Sequence, residues 1–203
     1  MTDKNKYLVP GRTVTSTQDI KKSKFITTVG RAGDTGSARA FIKEISAKYG
    51  DASHNCYAFV AGKPGSADIG MGDDGEVAGT AGKPMLNVLQ HKEIGEIVAV
   101  VTRYYGGVKL GPGGLVRAYT GSLQAALDEL ELKEYVEVRN ASIETDYQYE
   151  NAVRQSLAKA GIEAGGADYG DSVKFNVQIP VDSYDKLIEE IGNQTRGKYK
   201  ITL

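Results

Sequence analysis

Ile97-Val-Ala-Val-Val-Thr-Arg103-Tyr-Tyr-Gly106-Gly-Val-Lys109-Leu-Gly-Pro112-Gly-Gly-Leu-Val-Arg117 reads as a strand, a glycine-rich loop and the first turns of a helix. The apolar run at 97–101, four of its residues β-branched, is the pattern of a strand covered on both faces. Five glycines fall within residues 106–114, where the backbone can approach a ligand closely and turn through positive φ. Pro112 suits a first helical turn. The helix is expected to run to about residue 130, with Val116, Tyr119, Leu123, Ala126 and Leu130 inward and Arg117, Thr120 and Gln124 on the polar side. From residue 97 to residue 127 there is no Asp or Glu, while Arg103, Lys109 and Arg117 are present. Free N–H groups at the helix start and this local positive field favour an anion. The competing reading is a tight, cation-rich loop that only turns the chain.

Upstream, strands are expected at 12–17 and 23–29. A helix follows, capped by Asp34 or Thr35, with Ala38, Phe41, Ile42, Ile45 and Tyr49 at helical spacing. A strand at 54–61 comes next, then a loop and short meander at 62–82 too polar for core, then a helix at 80–90. Downstream of residue 136 the rhythm changes to strand, helix, two strands, helix, strand. A strand at 138–145 precedes a helix bearing Tyr149, Val153, Leu157 and Ala160. Val173, Phe175, Val177 and Ile179 alternate strictly, and Pro180 stops that strand. Asp182 is expected to cap a helix carrying Tyr184, Leu187, Ile188 and Ile191, and Tyr199, Ile201 and Leu203 make the last strand. The order βαββαβ is that of a ferredoxin-like domain, an antiparallel sheet with both helices on one face. Two domains follow, 1–136 and 137–203, in an α+β chain.

The 203 residues, 40% apolar and 25% charged, have ordinary globular composition. No apolar run is long enough to cross a bilayer and the polar start lacks the apolar stretch of a secretory signal, so a cytoplasmic location without membrane attachment is expected. One cysteine, Cys56, makes no internal disulfide, and no paired-cysteine zinc spacing occurs. Residues up to 136 carry 17 basic against 15 acidic side chains and the rest 8 against 11, net +2 and −3. Neither part is a wholesale polyanion binder, and any phosphate contact must come from a local cluster.

The usual nucleotide motifs do not fit. GxxxxGK[ST] is absent, Gly82-Lys83 being followed by Pro84. Gly70-Met-Gly-Asp-Asp-Gly75 satisfies GxGxxG, but two aspartates stand where a pyrophosphate would lie. Asp73, Asp74 and Glu76 offer three carboxylates in four residues, of the kind that hold magnesium or calcium; Asp-Asp-Gly is also favourable turn chemistry, and no metal or cofactor is assigned. Thr80 is read as a helix cap or a ligand donor. His54 and Cys56 point to the same face of a strand, an arrangement that packing produces more often than nucleophilic catalysis does. Lys21, Lys22 and Lys24 flank Phe25 and either extend the cationic field or protect a sheet edge.

Lys22-Ser-Lys-Phe25, His54-Asn-Cys-Tyr57, Asp73-Asp-Gly-Glu76 with Gly79-Thr-Ala-Gly82, and the run from Thr102 to Tyr119 together resemble the bacterial YigZ branch of the IMPACT family, in the family's order and over essentially the whole chain. The resemblance implies an N-terminal domain folded like the second domain of a small-subunit ribosomal protein, as in domain IV of elongation factor G. It implies a ferredoxin-like C-terminal domain like the last domain of that factor. Eukaryotic members act in translational control, interfering with activation of a starvation-responsive initiation-factor kinase. They carry an added RWD domain for which this chain is expected to have no room, so the kinase role is not carried over. The family cleft maps here to Lys24, His54, Glu76, Thr80, Arg103, Gly106, Gly107, Lys109, Gly113, Gly114 and Arg117.

The expectation is a non-enzymatic translation-related regulator binding RNA or the ribosome, with Arg103, Lys109, Arg117 and loop amides against phosphates. Tyr104 and Tyr105 are candidates for stacking, and Tyr119 for packing. The alternative is an enzyme acting on a phosphorylated or carboxylated small molecule, with His54 or Glu76 as acid or base. A protein partner could also use the C-terminal domain.

Overall fold

The computed structural model describes residues 6–203. In chain order its elements are β1 (Lys6–Pro10), β2 (Val14–Ile20), β3 (Ser23–Arg31), α1 (Thr35–Lys48), β4 (His54–Val60), β5 (Ile69–Gly72), α2 (Gly82–His91), β6 (Ile97–Tyr104), α3 (Pro112–Asp128), β7 (Leu132–Val136), β8 (Val138–Thr145), α4 (Glu150–Lys159), β9 (Ala167–Tyr169), β10 (Val173–Pro180), α5 (Tyr184–Gln194) and β11 (Tyr199–Thr202). They fall into two compact units, Tyr7–Tyr135 and Val136–Leu203, Lys6 going with the second. The first five residues of the expected range 1–136 lie outside the described residues. Among the described residues, no helix is long and apolar enough to cross a membrane.

The first unit is built on an antiparallel sheet ordered β2-β3-β6-β4-β5. Its central strand is the apolar run of the opening stretch. Ile97, Ala99 and Val101 enter one core with Leu115, Tyr119 and Leu123 of α3 and Met85 and Leu89 of α2. Val98, on the other face, packs with Ala38, Phe41 and Ile42 of α1. The strand runs on to Tyr104, so Arg103 belongs to the sheet rather than to the loop. Asp34 caps α1 in a reciprocal box, accepting from the Ser37 N–H at 2.7 Å. The segment expected to be loop contributes the edge strand β5, where Gly70 and Gly72 lie directly beneath the Phe59 and Tyr57 rings of β4. That close packing, not a dinucleotide, accounts for the GxGxxG match.

Val116 does not face the core; Leu115 and Ala118 do, because α3 also packs α2. Val116 is turned with Thr120 and Gln124 into a groove of about 670 Å³ beside Val88 and His91 of α2. Thr80 precedes α2 and does not cap it: the cap position is Ala81, and Thr80 Oγ1 donates to the Val77 carbonyl.

The second unit has sheet order β11-β8-β10-β9, all antiparallel, which is the ferredoxin-like arrangement. Val173, Phe175, Val177 and Ile179 are buried in strict alternation and pack with Val153, Leu157, Leu187 and Ile191 of the two helices. Ala160 is exposed at the end of α4, and Ile162 takes the core position instead. Asp182 falls in a short 3-10 turn before α5, whose cap position, Ser183, makes no side-chain cap bond.

Candidate functional site

One row across the first sheet carries the site. Phe25 of β3, Arg103 of β6 and His54 of β4 are register neighbours, so all three side chains leave the same face. The segment after β5 turns back and sets Glu76 against this row. Arg103 Nη1 donates to Glu76 Oε2 at 2.5 Å, with the two side chains 5% and 6% exposed. Tyr119 of α3 donates its hydroxyl to the same oxygen at 3.0 Å, and His54 Nε2 stands 3.9 Å from Glu76 Oε1. The guanidinium carbon lies 5.5 Å from the Phe25 ring centre and 5.4 Å from that of Tyr105, within cation–π reach of both. A pocket of about 470 Å³ opens here, lined by His54, Glu76, Arg103, Tyr105 and Lys109, with Val77, Leu110 and Leu115 as apolar wall.

The three neighbouring acids go to three different partners, which is why they form no cation cage. Asp73 receives the backbone N–H groups of Gly79, Ala81 and Gly82 at 2.7–3.1 Å. Burial pushes its carboxyl up, but the three donors outweigh that and hold it below the usual carboxylate range. Asp74 accepts the Asn55 N–H through its side chain and His54 Nδ1–H through its carbonyl. Glu76 takes Arg103. Among the described residues no group of three or more His, Cys, Asp or Glu is placed to hold a metal ion.

Cys56 is fully buried and its Sγ contacts the Asp73 carbonyl and the Tyr119 hydroxyl. Burial pushes its thiol up to about 12, and the nearby carboxylates push the same way. It is a packed thiol, not a nucleophile. Tyr119 is also fully buried, edge-on to Phe25 at 5.4 Å, with its hydroxyl driven well above the ordinary value by burial.

The structure brings His54, Glu76, Arg103 and Lys109 together around one pocket. It separates others. Lys24 is the register partner of Tyr104, so it leaves the opposite face of the sheet from Arg103 and is exposed. Thr80 is buried on the Val77 carbonyl, and Arg117 is exposed on α3 outside the pocket lining. Gly106 is required by packing: a Cβ there would lie 1.8 Å from the Lys22 carbonyl oxygen. Gly107 and Gly111 have φ of +83° and +71°, and Gly113 faces open space at the start of α3. Gly114 is lightly crowded by Leu110. Sequence reasoning did not single out Tyr119 and Asp73 as holders of the site. Tyr119 was visible only as a core aromatic, and Asp73 only as one of an acidic run.

The Impact N-terminal domain matches residues 21–127, and a domain of unknown function, DUF1949, matches residues 143–198. The chain is 37% identical to IMPACT family member YigZ of Escherichia coli over 96% of both chains. It is 40% identical to an IMPACT family member of Haemophilus influenzae over 97% of this chain and 96% of that one. A solved structure described as a crystal structure of an hypothetical protein matches with a TM-score of 0.73 at 36% identity, covering 97% of this chain and 96% of the other. Protein IMPACT of Xenopus laevis is 42% identical over 67 residues, 32% of this chain and 21% of that protein. The chain belongs to the IMPACT family.

Proposed function

We propose that this protein is a translation-related regulator that binds RNA or the ribosome through exposed cations around the glycine loop. The observation that carries the reading is the β2–β3 turn. Its two central residues, Lys21 and Lys22, both have positive φ, 46° and 69°. Two-residue hairpins of this kind favour Asn-Gly, and a long side chain in the left-handed region costs roughly 1 kcal/mol or more per residue. Two lysines in that position carry a local backbone cost, which supports a functional reading of the turn. The turn abuts Gly106, so Lys21 and Lys22 share one end of the sheet with the loop that bears Lys109. Lys21, Lys22, Lys109 and Arg117 are all exposed, and none makes an ion pair among the described residues. Phosphates supply the missing counter-charge.

Arg103 adds no net charge to this cluster, because Glu76 neutralises it. The test is the salt dependence of binding to purified ribosomes and ribosomal RNA. A Lys21→Ala/Lys22→Ala/Lys109→Ala/Arg117→Ala variant is expected to lose affinity and to flatten the slope of log K against log salt by about 0.7–0.9 for each phosphate contact removed. An unchanged slope rejects the reading.

A second reading, an enzyme acting on a phosphorylated or carboxylated small molecule, rests on the His54–Glu76–Arg103 pocket. Against it, Cys56 is held as a buried thiol and the Glu76 charge is paired with Arg103, which leaves His54 as the one unpaired candidate base among the pocket's described residues. Phosphate release from small phosphomonoesters that disappears in His54→Ala would favour this reading.

A further inference from the structure

Three side chains stand in a row at the polar end of the pocket, in the order Arg103, Glu76, His54. The Asp74 carbonyl can only accept, so in the neutral ring His54 Nδ1 carries the proton and Nε2 presents a lone pair. Glu76 Oε1, 3.9 Å from that nitrogen, is also an open acceptor, because Arg103 and Tyr119 both donate to Oε2. Arg103 has N–H groups to spare. Each terminal nitrogen carries two, Nη1 gives one to Glu76, and Nη2 makes only a 3.4 Å contact with Ser23 Oγ. Across the row the pocket offers donor, acceptor, acceptor. Apolar walls from Val77, Leu110 and Leu115 and the half-exposed ring of Tyr105 complete it.

A ligand that matches this row presents acceptor, donor, donor along one edge of a flat ring. Guanine does so, through O6, N1–H and the 2-amino group. Adenine and cytosine place a ring acceptor beside their amino group, and uracil flanks its single N–H with two carbonyls, so each leaves a mismatched polar contact. Reading a base by its Watson–Crick edge between apolar and aromatic walls is the established chemistry of pockets that take a base out of a stack. We propose that this pocket binds a guanine nucleotide, free or as an unpaired residue of an RNA strand, with Lys109 beside it for the phosphate. The RNA source rests on the function proposed above; the pocket chemistry does not.

Titration of the full chain with GMP, AMP, CMP and UMP, by calorimetry at fixed salt, tests the base preference. GMP is expected to bind at least tenfold tighter than the other three. His54→Ala, which removes one acceptor, and Tyr105→Ala, which removes the ring, are each expected to lose most of that preference while keeping the parent's circular dichroism. Equal affinity for all four nucleotides, or GMP binding unchanged in both variants, overturns the proposal. Oligouridylate with and without one internal guanosine separates the sources: tighter binding of the guanosine-bearing strand supports an RNA residue. A GMP preference without any RNA binding keeps the pocket and removes the RNA reading. Salt-dependent RNA binding with no base preference removes the pocket and keeps the RNA reading.

Discussion

Glu76 and Arg103 form an ion pair in which both side chains are almost fully out of water, so each charge is neutralised by the other rather than by solvent. Removing one partner leaves the other buried and uncompensated, at a cost of roughly 3–5 kcal/mol. Glu76→Ala is therefore expected to lower the urea midpoint sharply. Glu76→Gln combined with Arg103→Met should recover most of the loss, because the pair is then replaced by groups that need no counter-charge. Urea titrations of the three proteins check this; a Glu76→Ala midpoint equal to the parent's would show that the pair is solvated in solution.

Cys56 provides a chemical test of the same packing. With its thiol pushed up to about 12 and no exposed surface, the folded protein should resist alkylation by iodoacetamide at pH 8 and react fully once unfolded in guanidinium. Mass spectrometry before and after denaturation reads the difference. Rapid labelling of the native protein would restore Cys56 as a reactive group.

Much of this fold was legible in the sequence because periodicity and turn chemistry are local. The βαββαβ order followed from alternation in β10 and helical spacing in α4 and α5, and the Asp34 cap from its place before an amphipathic run. The misses share one physical cause, dependence on partners distant in the chain. Short β1 and β7 pair with one another across more than a hundred residues and carry no alternation of their own. Lys24 is the exception: the family resemblance set it in the cleft, while local strand alternation turns it to the face opposite Phe25. Arg103 looked like a free cation because the acid that neutralises it lies 27 positions earlier in a segment without periodicity.

Asp73 makes stability depend on acid in a predictable sense. Its carboxyl is held below the ordinary 3.8, so its contribution is fully present above that value and is lost as pH falls through the lowered folded value. Asp73→Ala should cost about 1 kcal/mol at pH 7, the usual size of a lost cap, since three N–H groups before and at the start of α2 lose their acceptor. The gap between parent and variant should narrow in urea titrations carried down to pH 2–3, roughly one to two units below the ordinary carboxylate value. A gap independent of pH would mean that the carboxylate charge has no part in holding α2.

The glycines separate packing from ligand approach. Gly106→Ala puts a methyl group against the Lys22 carbonyl and should destabilise by roughly 1–3 kcal/mol, as overpacking does, whatever the protein binds. Gly113 meets nothing within 4 Å and sits in the first turn of α3, so Gly113→Ala should leave the thermal midpoint unchanged or raise it by reducing the freedom of the unfolded chain. Only a phosphate drawn close to the helix start makes that methyl costly. Under the RNA reading, Gly113→Ala thus combines intact stability with weaker ribosome binding, a pairing that no packing role for the residue produces. Thermal melts and ribosome co-sedimentation on the same preparation decide it, and full binding by a stable Gly113→Ala protein would move the phosphate contacts away from the start of α3 and onto the Lys21–Lys22 turn.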